Sequence, residues 1–445
     1  MSKVDATGNN LITNKKQAFL RTGLLVIDKI AIIQYVLIYI LIQYIGGRVL
    51  TAVGTDLFYS FAIVFSASLM LFFPKRLPLK KNFFVFLIVL SVSLLITFVI
   101  TGGALYISTI LSLVSRFLLV YVAIGIDPEN FIKRFLKLVV LMSIISLLEF
   151  FFVLLVGERT ALRLFSRLYE IKNAYSYLGS SYGLFFICYN FMDPLRNAYM
   201  FGEPGEYQAL LITALYFLTF HKNNYESKLK IRYYIILILT LISTQSTTGY
   251  FNLIAFAIVV LLANKKSISP IVRNIIICGI IILVVYLIFW YSDDSFLYRN
   301  FIEKITGDSG NVDLTVDTGA ARIGPIKRFW QTLTTAPHKL IFGVGYDGLF
   351  ALPLQGYTTC GLINSIAMTG FVSSFILYGE MFLKLIKNSN SFGQVVFALF
   401  VIINMGLSQP DILSIVSVLI CMCGLWIKHN NKPNIHQTGV FRFNN

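Results

Sequence analysis

The sequence predicts an all-α polytopic membrane protein with about twelve transmembrane helices and two long external loops. Three observations carry that class. Of 445 residues, 57% are hydrophobic and 13% charged, and the mean hydropathy is +0.75, whereas a soluble domain carries about 25% charged residues to face water. Apolar runs near the roughly 20 residues that cross a bilayer recur along the chain. The connections between them are basic at alternate positions, the mark of a multi-pass topology. This composition excludes a cytosolic enzyme, a disordered regulator and a secreted disulfide scaffold. The formal charge of +16 is no nucleic-acid footprint, because Lys and Arg are spread through connections and form no stripe.

The candidate spans run near 30–47, 56–73, 83–101, 104–124, 136–156, 206–220, 232–243, 249–263, 271–290, 364–383, 392–408 and 411–427. They divide the chain into a five-helix bundle (1–156), a first long external loop (157–205), four helices (206–290), a large external loop (291–357), and three helices with a cytoplasmic tail (358–445). One set of connections is basic, with Lys15, Lys16, Arg21, Lys75, Arg76, Lys80, Lys81, Lys133, Arg134, Lys137, Lys228, Lys230, Lys265, Lys266, Lys384 and Lys387. The positive-inside rule places that side, and both termini, in the cytoplasm. Three of the opposite connections, 101–103, 244–248 and 409–410, are very short. The polar N-terminus lacks a signal-peptide pattern.

Two opposite connections are long, and loops beyond a dozen residues are uncommon unless functional or disordered. Their apolar stretches and aromatics argue for folded structure. The first holds an apolar patch, Leu184-Phe185-Phe186-Ile187, too short to span and expected to lie at the interface or re-enter. The second predicts short helices near 297–305 and 322–333, followed by the turn Gly343-Val344-Gly345. These loops also hold nearly all the basic residues on the side that the inside rule keeps poor in charge. An anionic substrate at that face accounts for them. Cys188 and Cys360 lie in or beside these loops, so a bridge between them is open. Cys278, Cys421 and Cys423 sit in apolar runs as small hydrophobes. No metal-ligand spacing occurs.

Three stretches carry candidate chemistry: Arg196 to Pro204, the Ser/Thr-rich turn from Ser243 to Gly249, and Arg322 with Trp330, Pro337 and the Gly343–Gly345 turn. With Arg196, Phe201 and Pro204 at their spacing, the Ser/Thr turn ending in Gly249, and Arg322, Pro337 and Gly-Val-Gly in the large loop, the chain resembles the O-antigen polymerase and ligase superfamily. Thr247 stands where members usually carry an Arg in the turn. Ligases of the superfamily place a His beside Asn or Ser shortly after the large loop; here Ile363 precedes Asn364, which counts against the ligase reading. The resemblance implies a GT-C-like fold in a bacterial cytoplasmic membrane. It implies polymerisation of polyprenyl-pyrophosphate-linked repeat units into capsular, exo- or O-antigen polysaccharide at the outer face. A lipid-linked oligosaccharide flippase or a ligase is the alternative. A flippase and a chain-length regulator of the same pathway are the implied protein partners.

The leaving group is a strongly anionic pyrophosphate, and Arg forks match phosphate oxygens bidentately. Arg196 and Arg322 are therefore the candidate clamp, with no metal or other cofactor required if arginines stabilise the developing charge. Arg322 is expected to begin a helical stretch whose free N–H groups also favour an anion. Lys327, Arg328, Gly343, Gly345 and Asn364 are taken as substrate-binding. For the acceptor hydroxyl, Glu203 and Glu206 are candidate base or orienting groups, with capping of the sixth span as the alternative; His338 is the one external His. Arg159, Arg163 and Arg167 share a helix face, as a lipid-surface stripe or a guide for substrate. Arg116 sits deep in the fourth span, where a charge is a functional candidate by default. Glu149 is its expected ion-pair partner, and a floor for the pyrophosphate site is the second reading.

Overall fold

The structure, a computed structural model, describes residues 29–47, 55–171, 181–191, 193–221, 227–262, 317–351, 360–409 and 413–425, together with Asn274 and Cys278. Eleven of the twelve candidate spans coincide with described helices; the span at 271–290, apart from those two residues, lies outside them, as does the helix expected at 297–305. In chain order the first five helices are α1 (Lys29–Gln43), α2 (Thr55–Phe72), α3 (Lys81–Ile100), α4 (Ile107–Gly125) and α5 (Pro128–Val156). A short α6 (Glu158–Phe165) leads into strands β1 (Glu170–Ile171), β2 (Ser181–Leu184) and β3 (Ile187–Asn190). Then follow α7 (Pro204–Phe220), α8 (Ser227–Ser243), α9 (Thr247–Leu262), α10 (Asp317–Thr335), α11 (Lys339–Phe342), α12 (Gly361–Asn388), α13 (Phe392–Ser408) and α14 (Ile415–Met422).

The helices are of membrane type. Four of them, α3, α4, α5 and α12, are long and apolar enough to cross a bilayer by length and composition. On α3, Leu87, Leu90 and Leu94 are buried, while Val85, Ile88, Val89, Val92, Leu95, Ile96 and Val99 form a continuous exposed stripe. A water-facing helix carries polar residues there. Helix α7 is buried on nearly every side and packs against α5, α8, α9, α13 and α14, so it is the axis of the bundle.

Alternate connections gather at opposite ends, as the charge pattern requires. At one end Lys80 Nζ donates to Leu425 O (2.5 Å), Arg76 to Ile126 O (3.3 Å), and Arg134 pairs with Asp127 at 2.6 Å. Helix α5 starts at Pro128, whose missing N–H suits a first-turn position, so Lys133, Arg134 and Lys137 lie on its opening turns instead of in a connection. At the other end Tyr346 N donates to Ala104 O (2.7 Å), Asn197 N to Ser243 O (3.0 Å) and Gly361 N to Gln409 O (2.8 Å). About 30 Å of α3 separates the two sets.

The apolar patch of the first long loop is an exposed hairpin tip, and the three short strands there are the exception to a mostly helical fold. Strands β1, β2 and β3 pair antiparallel, with Ser181 opposite Asn190 and Leu184 opposite Ile187. Phe185 turns the chain at φ 52. Four-residue strands are too short for alternation to show in the sequence.

Helix α12 is not one straight span. Gly370 is non-helical at φ 81, ψ 165, and Ser365 Oγ lies 3.5 Å from Ser374 Oγ, where nine residues of straight helix would rise about 13.5 Å. Its first half, residues 361–369, therefore folds back across the end of the bundle, and the part that can cross begins after Gly370, not at 364. The Gly343-Val344-Gly345 turn plugs this break. Val344 N and Gly345 N donate to Ala367 O (2.9 Å) and Met368 O (3.1 Å), and Thr97 Oγ1 donates to Phe342 O (2.7 Å) and Thr369 O (3.2 Å). The carbonyls that a broken helix leaves open are thus paired.

One further expectation fails, and the bridge left open between Cys188 and Cys360 is not formed. Glu149 forms no ion pair with Arg116; the group acting on its carboxyl is the backbone of Cys188. Helix α4 packs mainly on α2 and brings Arg116 beside Tyr44, while Glu149 faces Cys188, Tyr189, Tyr199 and Tyr207. Cys188 and Cys360 are both buried and are not bridged.

Candidate functional site

Two of the three sequence stretches meet in one cavity of ≈ 340 Å³ at the end of the bundle where 101–106, 193–203 and 409 gather. Its walls include Arg196, Glu203, Gly205, Thr247, Thr248 and Gln409. The volume lies in the range of small-molecule sites, about 300–1,000 Å³.

The Arg196–Pro204 segment is sewn to the bundle by short side chains. Asn197 Nδ2 donates to Ser146 Oγ (2.8 Å) on α5 and to Ser243 Oγ (3.0 Å) at the end of α8. Asn190 Nδ2 donates to Phe201 O (2.9 Å) and Gly202 O (2.8 Å), and Gly202 N donates to Gly46 O (3.2 Å). Phe201 stacks on Tyr207, ring centroids 5.1 Å apart. Pro204 then opens α7 at its first turn. Two non-glycine residues beside the cavity, Tyr199 (φ 52) and Gln245 (φ 49), adopt left-handed backbone, which costs about 1–2 kcal/mol each. Such strain concentrates at functional sites. Burial holds the Tyr199 phenol far above its ordinary value, so it serves as a neutral donor, to Phe186 O.

Arg196 is aimed by two acceptors. NH2 donates to Gln245 O at 3.2 Å, and NH1 pairs with Asp193 at 3.5 Å; the side chain is a quarter exposed. Its Nε has no partner among the described residues. The neighbouring α9 starts at Thr247 with no acidic residue in its first turn, and Ser246 Oγ accepts from Gly249 N at 3.3 Å. The start of α9, capped by Ser246, thus lies in the cavity wall.

The two candidate carboxylates share the capping box at the start of α7, the Glu203 side chain facing the backbone N–H of Glu206, and one of them also lines the cavity. Glu206 accepts from Gly202 N (2.8 Å) and Glu203 N (3.2 Å) as part of a capping box, and a Cβ on Gly46 would run into its carboxylate. It is a helix cap. Glu203 lines the cavity. Counting Asp193, one guanidinium faces two carboxylates in the described walls, so a diphosphate there needs further positive charge.

The remaining candidates are not among the described walls of the cavity. Arg322 is on α10, but the helix starts at Asp317, so Arg322 sits beyond the free N–H groups of the first turn, against expectation. Helix α10 rests on α12 through Phe329 and Phe371, ring centroids 6.3 Å apart. Lys327 is exposed and Arg328 half-buried on the same helix. His338, exposed, precedes α11. Gly343 and Gly345 are buried against backbone, where a Cβ would strike Met368 O and Ala104 C. Asn364 is buried in the first half of α12, one turn from the Gly361–Gln409 bond. Arg159, Arg163 and Arg167 are exposed on and just after α6. Arg116 is buried in α4 beside Tyr44. Among the described residues no cluster of His, Cys, Asp and Glu could hold a metal.

Sequence reading missed Asp193, which orients Arg196, and Gln409, whose Nε2 would collide with a Cβ on Gly205. It also passed over three amides beneath the cavity, Gln208, Asn252 and Asn404. Each is an uncharged polar residue inside an apolar run, and that was the available signal. Compared with protein-family models and with curated proteins, the chain matches none.

Proposed function

We propose that this chain is a metal-independent glycosyltransferase that polymerises polyprenyl-pyrophosphate-linked oligosaccharide repeat units at the outer face of a bacterial cytoplasmic membrane. The observation that carries the reading is the convergence of Arg196, Glu203 and the Thr247–Thr248 helix start on one polar cavity at the end of an apolar bundle. A lipid-linked sugar diphosphate needs that pairing: an apolar body for the lipid and a charged, hydroxyl-lined pocket at membrane level for the head. Arg196 and the α9 N-terminus stabilise the charge that develops on the departing diphosphate. Glu203 orients or deprotonates the acceptor hydroxyl. Because Asp193 and Glu203 offset Arg196, the second half of the clamp is assigned to Arg322, Lys327 and Arg328 of the large loop, which the described walls of the cavity do not include.

The test is made in cells. Arg196→Ala or Arg322→Ala should abolish long polysaccharide while single repeat units still reach the outer face. Accumulation of single units on the inner face would instead mark a flippase, and unchanged chain length would remove the catalytic assignment.

A further inference from the structure

Beneath the cavity lies a set of amides that the reaction above does not use. Three helices end on the cavity with Pro204 (α7), Thr248 (α9) and Ser408 (α13) in its walls. One turn deeper on the same helix faces, at four residues' spacing, stand Gln208, Asn252 and Asn404. They touch: Asn252 Nδ2 donates to Gln208 Oε1 (3.2 Å), and Asn404 Nδ2 donates to Asn252 Oδ1 (2.9 Å) and Thr248 O (3.3 Å). Gln208 and Asn252 are fully buried. In this network Gln208 Nε2 is a buried donor with no partner among the described residues. Gly249 thins the wall here, its position for a Cβ lying 3.1 Å from Gln208 Cβ.

We propose that this amide triad, one turn behind the residues that line the cavity, is the layer that meets the neutral saccharide part of a ligand reaching past the wall, with Gln208 Nε2 donating to a sugar oxygen. Buried polar groups are paired in native proteins, so a lone donor under a ligand-sized polar cavity asks for an acceptor from the ligand. An amide carries no charge, so this layer discriminates on hydroxyl or acetamido pattern, while Arg196 at the rim senses the diphosphate. A site built to hydrogen-bond one group rejects ligands that lack it far more strongly than an apolar pocket does.

The inference rests on the polyprenyl-saccharide reading, and the test separates the two. The full chain in lipid nanodiscs is titrated with undecaprenyl pyrophosphate, which has no sugar, and with lipid-linked oligosaccharide extracted from cells lacking the chain. Arg196→Ala should weaken both ligands. Gln208→Leu should weaken the saccharide-bearing lipid about tenfold or more and leave the sugarless lipid within about twofold, which also reports that the variant is folded. If Gln208→Leu disturbs the bundle, the half-buried Asn404 changed to Leu reads the same difference. Selective loss in either variant supports the amide layer. Equal loss for both ligands in both variants, or no loss in either, overturns it. If the wild-type chain binds neither ligand, the polyprenyl reading itself fails and the amide layer's role falls with it.

Discussion

Arg196 shows how a single side chain acquires a direction. A guanidinium at a bilayer edge would ordinarily sweep through many rotamers; here Gln245 O and Asp193 hold two of its nitrogens and leave Nε free. Arg196→Lys keeps the charge but cannot hold both acceptors in a planar fork, so it should retain little of the wild-type turnover. Arg196→Ala should lower turnover by at least about 10²-fold, the size of one lost transition-state donor. Glu149 makes the opposite case, a buried carboxyl with no ion-pair partner, the backbone of Cys188 being the donor nearest to it. Glu149→Gln should raise stability by about 1 kcal/mol or more by replacing a carboxyl that must lose its charge to be buried with a neutral amide, read as a higher unfolding midpoint in detergent; a lower midpoint would show that the carboxyl makes a bond in the folded protein that the amide cannot. Arg196 and Glu203 were legible in the sequence because charge in an apolar chain is conspicuous. Gln208, Asn252 and Asn404 were not, because one neutral amide per helix barely alters a run's hydropathy and their contacts join residues 44 to 152 positions apart.

At the scale of elements, the Gly-Val-Gly turn and the break in α12 form one structural knot. Gly343 and Gly370 both have positive φ, and a Cβ on either would run into the other's backbone. Gly102 also has positive φ but open space around it. Gly102→Ala should therefore cost about 1–2 kcal/mol of backbone strain, and Gly343→Ala distinctly more, as compared by their unfolding midpoints. The fold-back is checked separately. Cysteines placed at Ser365 and Ser374 should form a disulfide on mild oxidation, which a straight α12 would forbid by holding them about 13.5 Å apart. Helix existence was legible for eleven spans because length and apolarity decide it. The break was not, since Gly370 sits in an apolar run that a straight helix tolerates, and only its pairing with a turn 25 residues earlier in the chain shows that it must bend. The hairpin tip was hidden in the same way, its pairing being tertiary.

At the scale of the whole molecule, a topology read from charge meets a cavity read from contacts. Alternate connections do collect at opposite ends, but the direction of insertion comes from the positive-inside rule alone. In a Cys278→Ser background, a cysteine at Gly102 should react in intact cells with a membrane-impermeant maleimide, and one at Lys75 only after permeabilisation. The reverse pattern would put the cavity in the cytoplasm. The central claim is that guanidinium groups at the cavity drive saccharide transfer off a lipid diphosphate. Its most direct test is turnover by the purified chain in proteoliposomes supplied with lipid-linked repeat units and no divalent metal, counting polyprenyl pyrophosphate released against glycosidic bonds formed. The account predicts one diphosphate per bond in the wild type and almost none in folded Arg196→Ala. Wild-type release and product length in that variant would contradict it.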